Sequence, residues 1–219
     1  VYSMDGDIAP IPEFVALKHK YGCFLLVDEA HSSGVIGRTG GGVDEHFGLL
    51  PTDIDIKIGT LSKAAGSIGG YIAGTHNLVS YFRYHLPGFL FAAGISPPSA
   101  AAALAAIRLL RRDPSIVARL HDNVAFFIAE ARQRQFDTCG ASLSPIVPIL
   151  IGRDEDAFAI SKRMLKKGVF VPTAAYPAVP KNKARLRFSV ISEHSHAQIR
   201  EALDCLAETL HELGEGWPS

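Results

Sequence analysis

Cys23-Phe24-Leu25-Leu26-Val27-Asp28-Glu29-Ala30-His31 and Ile54-Asp55-Ile56-Lys57-Ile58-Gly59-Thr60-Leu61-Ser62-Lys63 decide the fold. Each begins as an apolar, strand-length run and passes directly into polar residues. The first run is continuous, as a strand covered on both faces requires. A helix precedes it: Pro12 sits where a first turn tolerates it, Phe14, Leu17 and Tyr21 share a face, and Gly22 ends it. The glycine-rich stretch Gly37 to Gly42 links the two runs, and Gly69-Gly70-Tyr71-Ile72-Ala73-Gly74 reads as a further short strand. Strands alternating with helices predict an α/β fold with a mainly parallel sheet, whose functional groups lie beyond the carboxyl ends of its strands. Asp28 and Lys63 both fall there.

Working outward, Val1-Tyr2-Ser3-Met4 also reads as a strand. It has no lead-in and no initiator methionine, which predicts a fragment of a longer chain. On the other side, Ser96-Pro97 starts an alanine-rich helix ending in Arg108, Arg111 and Arg112, well placed against the negative end of its dipole. Asp113-Pro114 starts another. Then follow a strand from Ile146 to Ile151, a helix from Asp156 to Lys167, strands over Val169–Val171 and Arg185–Val190, and a last helix. Ser195 and Gln198 have capping-box spacing for that helix. These elements predict a C-terminal α+β domain over 113–219, following part of a larger domain over 1–112.

Composition excludes several function classes. Among 219 residues, Lys plus Arg and Asp plus Glu are each 22, so there is no basic footprint for nucleic acid. The three cysteines, Cys23, Cys139 and Cys205, are widely spaced and odd in number. That predicts no disulfide framework, no metal site and a reducing cytoplasm. The longest apolar stretch, near Ala100 to Leu110, is too short to span a bilayer, so no transmembrane segment is expected. Gly37 to Gly42 reads as a turn, since no Gly-Lys-Ser/Thr follows and no Gly-x-Gly-x-x-Gly opens a helix.

Taken singly, the chemical signals are weak. A strand-end aspartate often caps a turn, a lone lysine is usually solvated, and a lone histidine is more often structural. The ordered pair is what matters: Asp28-x-x-His31 at one strand end, and Thr60-x-Ser62-Lys63 at the next. Pyridoxal chemistry needs a lysine to hold the cofactor aldehyde as a Schiff base and then move protons at the substrate α-carbon. It also needs a carboxylate facing the pyridine nitrogen, so that the protonated ring can accept a carbanion's electrons.

Ser3-Met4-Asp5-Gly6-Asp7-Ile8-Ala9-Pro10, Val27-Asp28-Glu29-Ala30-His31-Ser32, Gly59-Thr60-Leu61-Ser62-Lys63, Gly69-Gly70-Tyr71 and Arg185-Leu186-Arg187-Phe188-Ser189 occur in this order along the chain. Together they closely resemble the α-oxoamine synthases, pyridoxal 5′-phosphate enzymes of transferase fold type I. The resemblance implies part of that fold's mainly parallel large-domain sheet plus the small α+β domain. It implies Lys63 as the Schiff-base lysine, Asp28 on the pyridine nitrogen, and His31 and Ser3 on the phenolic oxygen. Thr60 and Ser62 would approach the phosphate, and Arg187 would bind the amino-acid carboxylate, a task suited to a guanidinium fork. The activity implied is decarboxylative condensation of a small amino acid with an acyl-CoA or other acyl-thioester, in a cytoplasmic homodimer. His31 would also help to position the substrate.

Three departures from the family pattern stand out. Phe91-Ala92-Ala93-Gly94 occupies the place of a hydroxyl that reaches the neighbouring subunit's phosphate. Gly41 replaces a common arginine. The family's upstream half, with its cofactor-stacking ring and much of the phosphate cup, is absent from this sequence. Two alternatives remain open: another fold-type I enzyme such as an aminotransferase, and a truncated, non-catalytic dimerisation partner. The apolar segment Leu86 to Ile95 needs cover, from its own core or from a second subunit.

Overall fold

A computed structural model describes residues 1–214. The chain divides into two units: Val1 with Ala9–Ala118, and Tyr2–Ile8 with the residues from Arg119 onward.

The first unit begins with α1 (Ile11–Tyr21), which ends at Gly22 in the left-handed conformation as expected. Strand β1 covers only Leu26–Asp28 rather than the run from Cys23. The residues ahead of it have other partners: the Cys23 amide donates to Lys18 O and the Leu25 amide to the Asp55 carboxylate. Only Val27 of this strand is buried, while Phe24 is 77% exposed, so the run is not covered on both faces within the described residues. A long loop and the short helix α2 (Val43–Phe47) lead to β2 (Ile56–Thr60), which lies parallel to β1 with Asp28 opposite Ile58. Strand β3 (Gly70–Gly74) then pairs antiparallel with β2, because the short connection from Leu61 to Gly69 cannot make a parallel crossover. Helices α3 (His76–His85), α4 (Pro87–Leu90) and α5 (Pro97–Arg112) follow. Ser96 caps α5 by accepting from the Ser99 amide.

The loop between β1 and α2 is built on two carboxylates. Glu29, buried to 3% exposure, accepts from Ser32 Oγ and the Val43 amide. Glu45 accepts from the Thr39 amide, the Thr39 hydroxyl and the Gly41 amide. The glycine-rich stretch is thus a turn whose amides already face a carboxylate, a poor arrangement for binding phosphate.

The second unit holds most of the buried apolar side chains. Helix α6 (Ser115–Gln133) contributes Val124, Phe127 and Ala131 to this core. Strands β4 (Ile146–Gly152), β5 (Thr173–Ala174) and β6 (Ala184–Ser189) form an antiparallel sheet in the order β4-β6-β5. Helices α7 (Asp154–Lys166) and α8 (His196–Glu212) pack Ile160, Met164, Leu203 and Leu206 into the same cluster. The Ser195–Gln198 capping box is present at the start of α8.

Two expected strands do not form. Val1–Met4 gives way to a turn around Ser3–Asp5, closed by the Gly6 amide on Tyr2 O and the Tyr2 amide on Asp7 O. Val169–Val171 is not a strand because its backbone is already engaged. The Val169 amide donates to Met164 O at the end of α7, and Val171 O accepts from Ser161 Oγ. Pro172 follows with no N–H to offer, so pairing starts at Thr173.

Burial alone would raise the Glu45 pKa, but the amides of Thr39 and Gly41, the Thr39 hydroxyl and the nearby Arg38 charge outweigh it and hold it below its ordinary value. The folded value is depressed, so the stabilisation is complete above the ordinary glutamate range and fades as pH falls through the folded value. The Thr39 and Gly41 amide proton resonances should therefore titrate together, with a midpoint below that of ordinary glutamates, and Glu45→Gln should abolish both titrations.

Candidate functional site

The parallel pairing of β1 with β2 brings their carboxyl ends side by side. Asp28 is the last residue of β1, and Thr60 is the last of β2. His31 lies in the tight turn after β1, where the Ser32 and Ser33 amides both donate to Glu29 O at 3.0 Å. Ser62 and Lys63 lie in the turn after β2, closed by the Gly66 amide on Lys63 O and the Ser67 amide on Leu61 O. Five of the seven expected site residues therefore share one edge of the first unit.

Their local bonding leaves reactive groups available. Asp28 Oδ1 accepts from the Ala30 amide at 2.8 Å, and Oδ2 has no partner among the described residues. The Lys63 side chain is exposed, and Nζ has no hydrogen-bond or ion-pair partner among them. The hydroxyls of Thr60 and Ser62 lie 2.7 Å apart, and the Ser62 amide also donates to Thr60 Oγ1. An accessible amine, a carboxylate with a free oxygen and paired hydroxyls form a donor set suited to covalent capture of an anionic carbonyl compound.

Ser3 and Arg187 belong to the second unit and meet there. Arg187 Nε donates to Ser3 O at 2.6 Å and its Nη1 to Ser189 Oγ at 3.0 Å. These bonds orient the guanidinium, and Nη2 has no partner among the described residues. Partial burial lowers the Arg187 pKa from its ordinary value, and the group remains protonated. The side chain lines a cavity of about 340 Å³ with Phe170, Val171, Phe188, His194 and Gln198.

Arg185 has a different environment. It is 5% exposed, ion-paired with Asp5, and donates from Nε to Lys183 O. A buried guanidinium already satisfied in this way holds the Ser3–Asp5 turn and has little left for a ligand.

The sequence gives little sign of the polar groups that lie around these residues. The buried Glu29 and the more exposed Ser33 and Tyr71 were not among the expected site residues, yet Ser33 Oγ and Tyr71 Oη lie 2.7 Å apart. The usable signal was small: Glu29 and Ser33 flank His31, and Tyr71 follows paired glycines. Only the strand register shows that they meet.

Residues 1–206 match the family described as aminotransferase class I and II. The chain is 42% identical over 214 residues to an 8-amino-7-oxononanoate synthase of Symbiobacterium thermophilum, covering 98% of this chain and 54% of that protein. It is 42% identical over 213 residues to 8-amino-7-oxononanoate synthase 1 of Bacillus subtilis, covering 97% of this chain and 54% of that one. Among solved structures, Sphingomonas wittichii serine palmitoyltransferase superposes with a TM-score of 0.91 at 33% identity, over 97% of this chain and 53% of that one. The 8-amino-7-oxononanoate synthase of Francisella tularensis gives a TM-score of 0.84 at 26% identity, over 97% and 62%. The chain spans about half the length of the curated relatives it matches.

Proposed function

Because the chain belongs to the class I and II aminotransferase family, on its α-oxoamine synthase branch, we propose that it carries the lysine-bearing part of a pyridoxal 5′-phosphate-dependent C-acyltransferase. The reaction is condensation of a small α-amino acid with an acyl-CoA or other acyl-thioester, with release of the thiol and loss of carbon dioxide, to give an α-amino ketone. The observation that carries this reading is the shared strand edge, where an unpaired Lys63 amine and the half-free Asp28 carboxylate follow adjacent parallel strands.

The donor set on the β1–β2 edge fits the cofactor. Lys63 would hold its aldehyde carbon through Nζ, and Asp28 would keep its ring nitrogen protonated. His31 and Ser3 would hold the phenolic oxygen, and Thr60 and Ser62 would approach the phosphate. When bound, the ring supplies an electron sink for a carbanion at the substrate α-carbon. Lys63, once displaced by the substrate amine, would take the α-proton at Nζ. Arg187, oriented by Ser3 and Ser189, would grip the amino-acid carboxylate, while His31 helps to position the substrate. Residues 1–112 would then be part of the cofactor-binding large domain and 113–219 the small domain.

Two further features belong to this reading. The segment around α4 is largely uncovered by its own chain, with Phe89 61% and Phe91 83% exposed. We assign it to a homodimer interface, where Ala92 and Ala93 could reach a neighbouring cofactor phosphate only through backbone amides or water. A cytoplasmic location accords with three free cysteines, Cys23, Cys139 and Cys205. Among the described residues no helix is long and apolar enough to cross a membrane, and no group of three or more His, Cys, Asp or Glu could hold a metal.

Lys63→Ala should abolish both the visible absorption of the lysine-bound cofactor and the borohydride-trapped adduct; an unchanged adduct would remove Lys63 from its role. Arg187→Ala should weaken amino-acid binding while sparing cofactor loading. A charge-assisted hydrogen bond is worth about 1.5–3 kcal/mol, or roughly 10- to 100-fold in affinity. A larger loss of affinity in Arg185→Ala would show that the wrong arginine had been assigned. For the interface, Phe91→Asp should convert a dimer in sedimentation experiments into a monomer of low activity, and a fully active monomer would refute the assignment.

A further inference from the structure

The turn that carries Asp28 and His31 and the turn that carries Lys63 are joined by side chains outside the proposed cofactor site. Tyr71 pairs with Gly59 across the β2–β3 ladder. Its ring lies over that glycine so closely that an added Cβ would come within 2.4 Å of it. The Tyr71 hydroxyl then reaches Ser33 Oγ at 2.7 Å. One residue further on, a Cβ at Gly34 would lie 2.7 Å from the Ala64 Cβ, and Gly34 also has φ +77°, where a side chain is strained. The two turns therefore touch beside Lys63, and the His31 turn is bonded through Ser33 to β3 of the lysine-bearing hairpin.

We propose that Tyr71, acting through Ser33, is a positioning residue that fixes the His31 turn against the lysine-bearing β2–β3 hairpin, with Gly59 and Gly34 providing the space. It need not touch substrate or cofactor. The Ser32 and Ser33 amides are tied to Glu29 within their own turn, and the Gly66 and Ser67 amides within theirs. The Tyr71–Ser33 bond joins the first closed turn to β3, the strand that follows the second. This inference rests on the cofactor reading above for its catalytic meaning, whereas the clamp itself can be tested without cofactor.

The test uses the whole protein with Tyr71→Phe, Ser33→Ala, the double variant, and Ser33→Thr, which keeps the hydroxyl. Tyr71→Phe keeps the ring over Gly59, so its unfolding midpoint should stay close to that of the parent. Amide hydrogen exchange should quicken about two- to tenfold at Ser32, Ser33, Gly66 and Ser67, the loss expected for one net hydrogen bond. In the cofactor-loaded protein, looser placement of His31 should change the ratio of the two cofactor absorption bands and shift the pH at which they interconvert. The double variant should add nothing to either single change, because both remove the same bond, and Ser33→Thr should behave as the parent. Unchanged exchange in Tyr71→Phe, or additive effects in the double variant, would overturn the clamp. Changed exchange with an unchanged spectrum would overturn its positioning role. A parent protein that binds no cofactor would overturn the functional reading, leaving exchange to decide the clamp.

Discussion

The parallel register between β1 and β2 is the constraint on which the first unit depends. Setting Asp28 opposite Ile58 places one strand's last residue beside another strand about to end, so two unrelated turns open on the same edge. Parallel strands emit their following loops in one direction, whereas an antiparallel neighbour would send the second loop to the far end. A one-residue slip would also turn the side chains to the other face. Lys18 supports the pairing from outside by binding Thr52 O, Asp53 O and the Asp55 carboxylate. That carboxylate also accepts the Leu25 amide just before β1 begins, so one ion pair holds the entrances to both strands.

The second unit rests on a different principle. Its sheet and helices close a dense apolar cluster in which Leu186, Ile160, Met164 and Leu206 are fully buried. The two arginines of β6 enter this framework with partners. Arg185 meets Asp5, while Arg187, on the same strand, engages Ser3 and Ser189 through two of its nitrogens and keeps the third, Nη2. Two arginines separated by one residue thus have different duties: one holds a turn and the other is aimed by it. Desolvation makes the first costly to disturb.

Much of this was legible in the sequence. Helix α1 ending at Gly22, the Ser96 cap and the Ser195–Gln198 box were written in local residue chemistry, which acts within a few positions. The carboxylate and lysine at strand ends were readable because an apolar run stops abruptly there. What failed was the reading of Cys23–Leu25, Val1–Met4 and Val169–Val171 as strands. Each is apolar enough, but strand formation also requires free backbone groups. Those of Cys23, Leu25 and Val169 are taken by Lys18 O, Asp55 and Met164 O, competition that no hydropathy pattern reveals. The Tyr71–Ser33 contact was hidden for a related reason. It spans 38 positions and exists only once two strands have chosen their register.

The placement of Tyr2–Ile8 bears on how the chain is assembled in time. These residues are held by Arg185 and Arg187, across separations of 180 and 184 positions, while the first unit's residues are threaded between. During synthesis the early turn therefore waits for its guanidinium partners until β6 has been made. Contacts this far apart in sequence form slowly, because the closure entropy must be met before any attraction is gained. The first unit faces no such delay, since its strands and turns lie close together along the chain. Topology thus makes the second unit the later one to mature: Tyr2–Ile8 and β6 complete one another only once β6 has emerged.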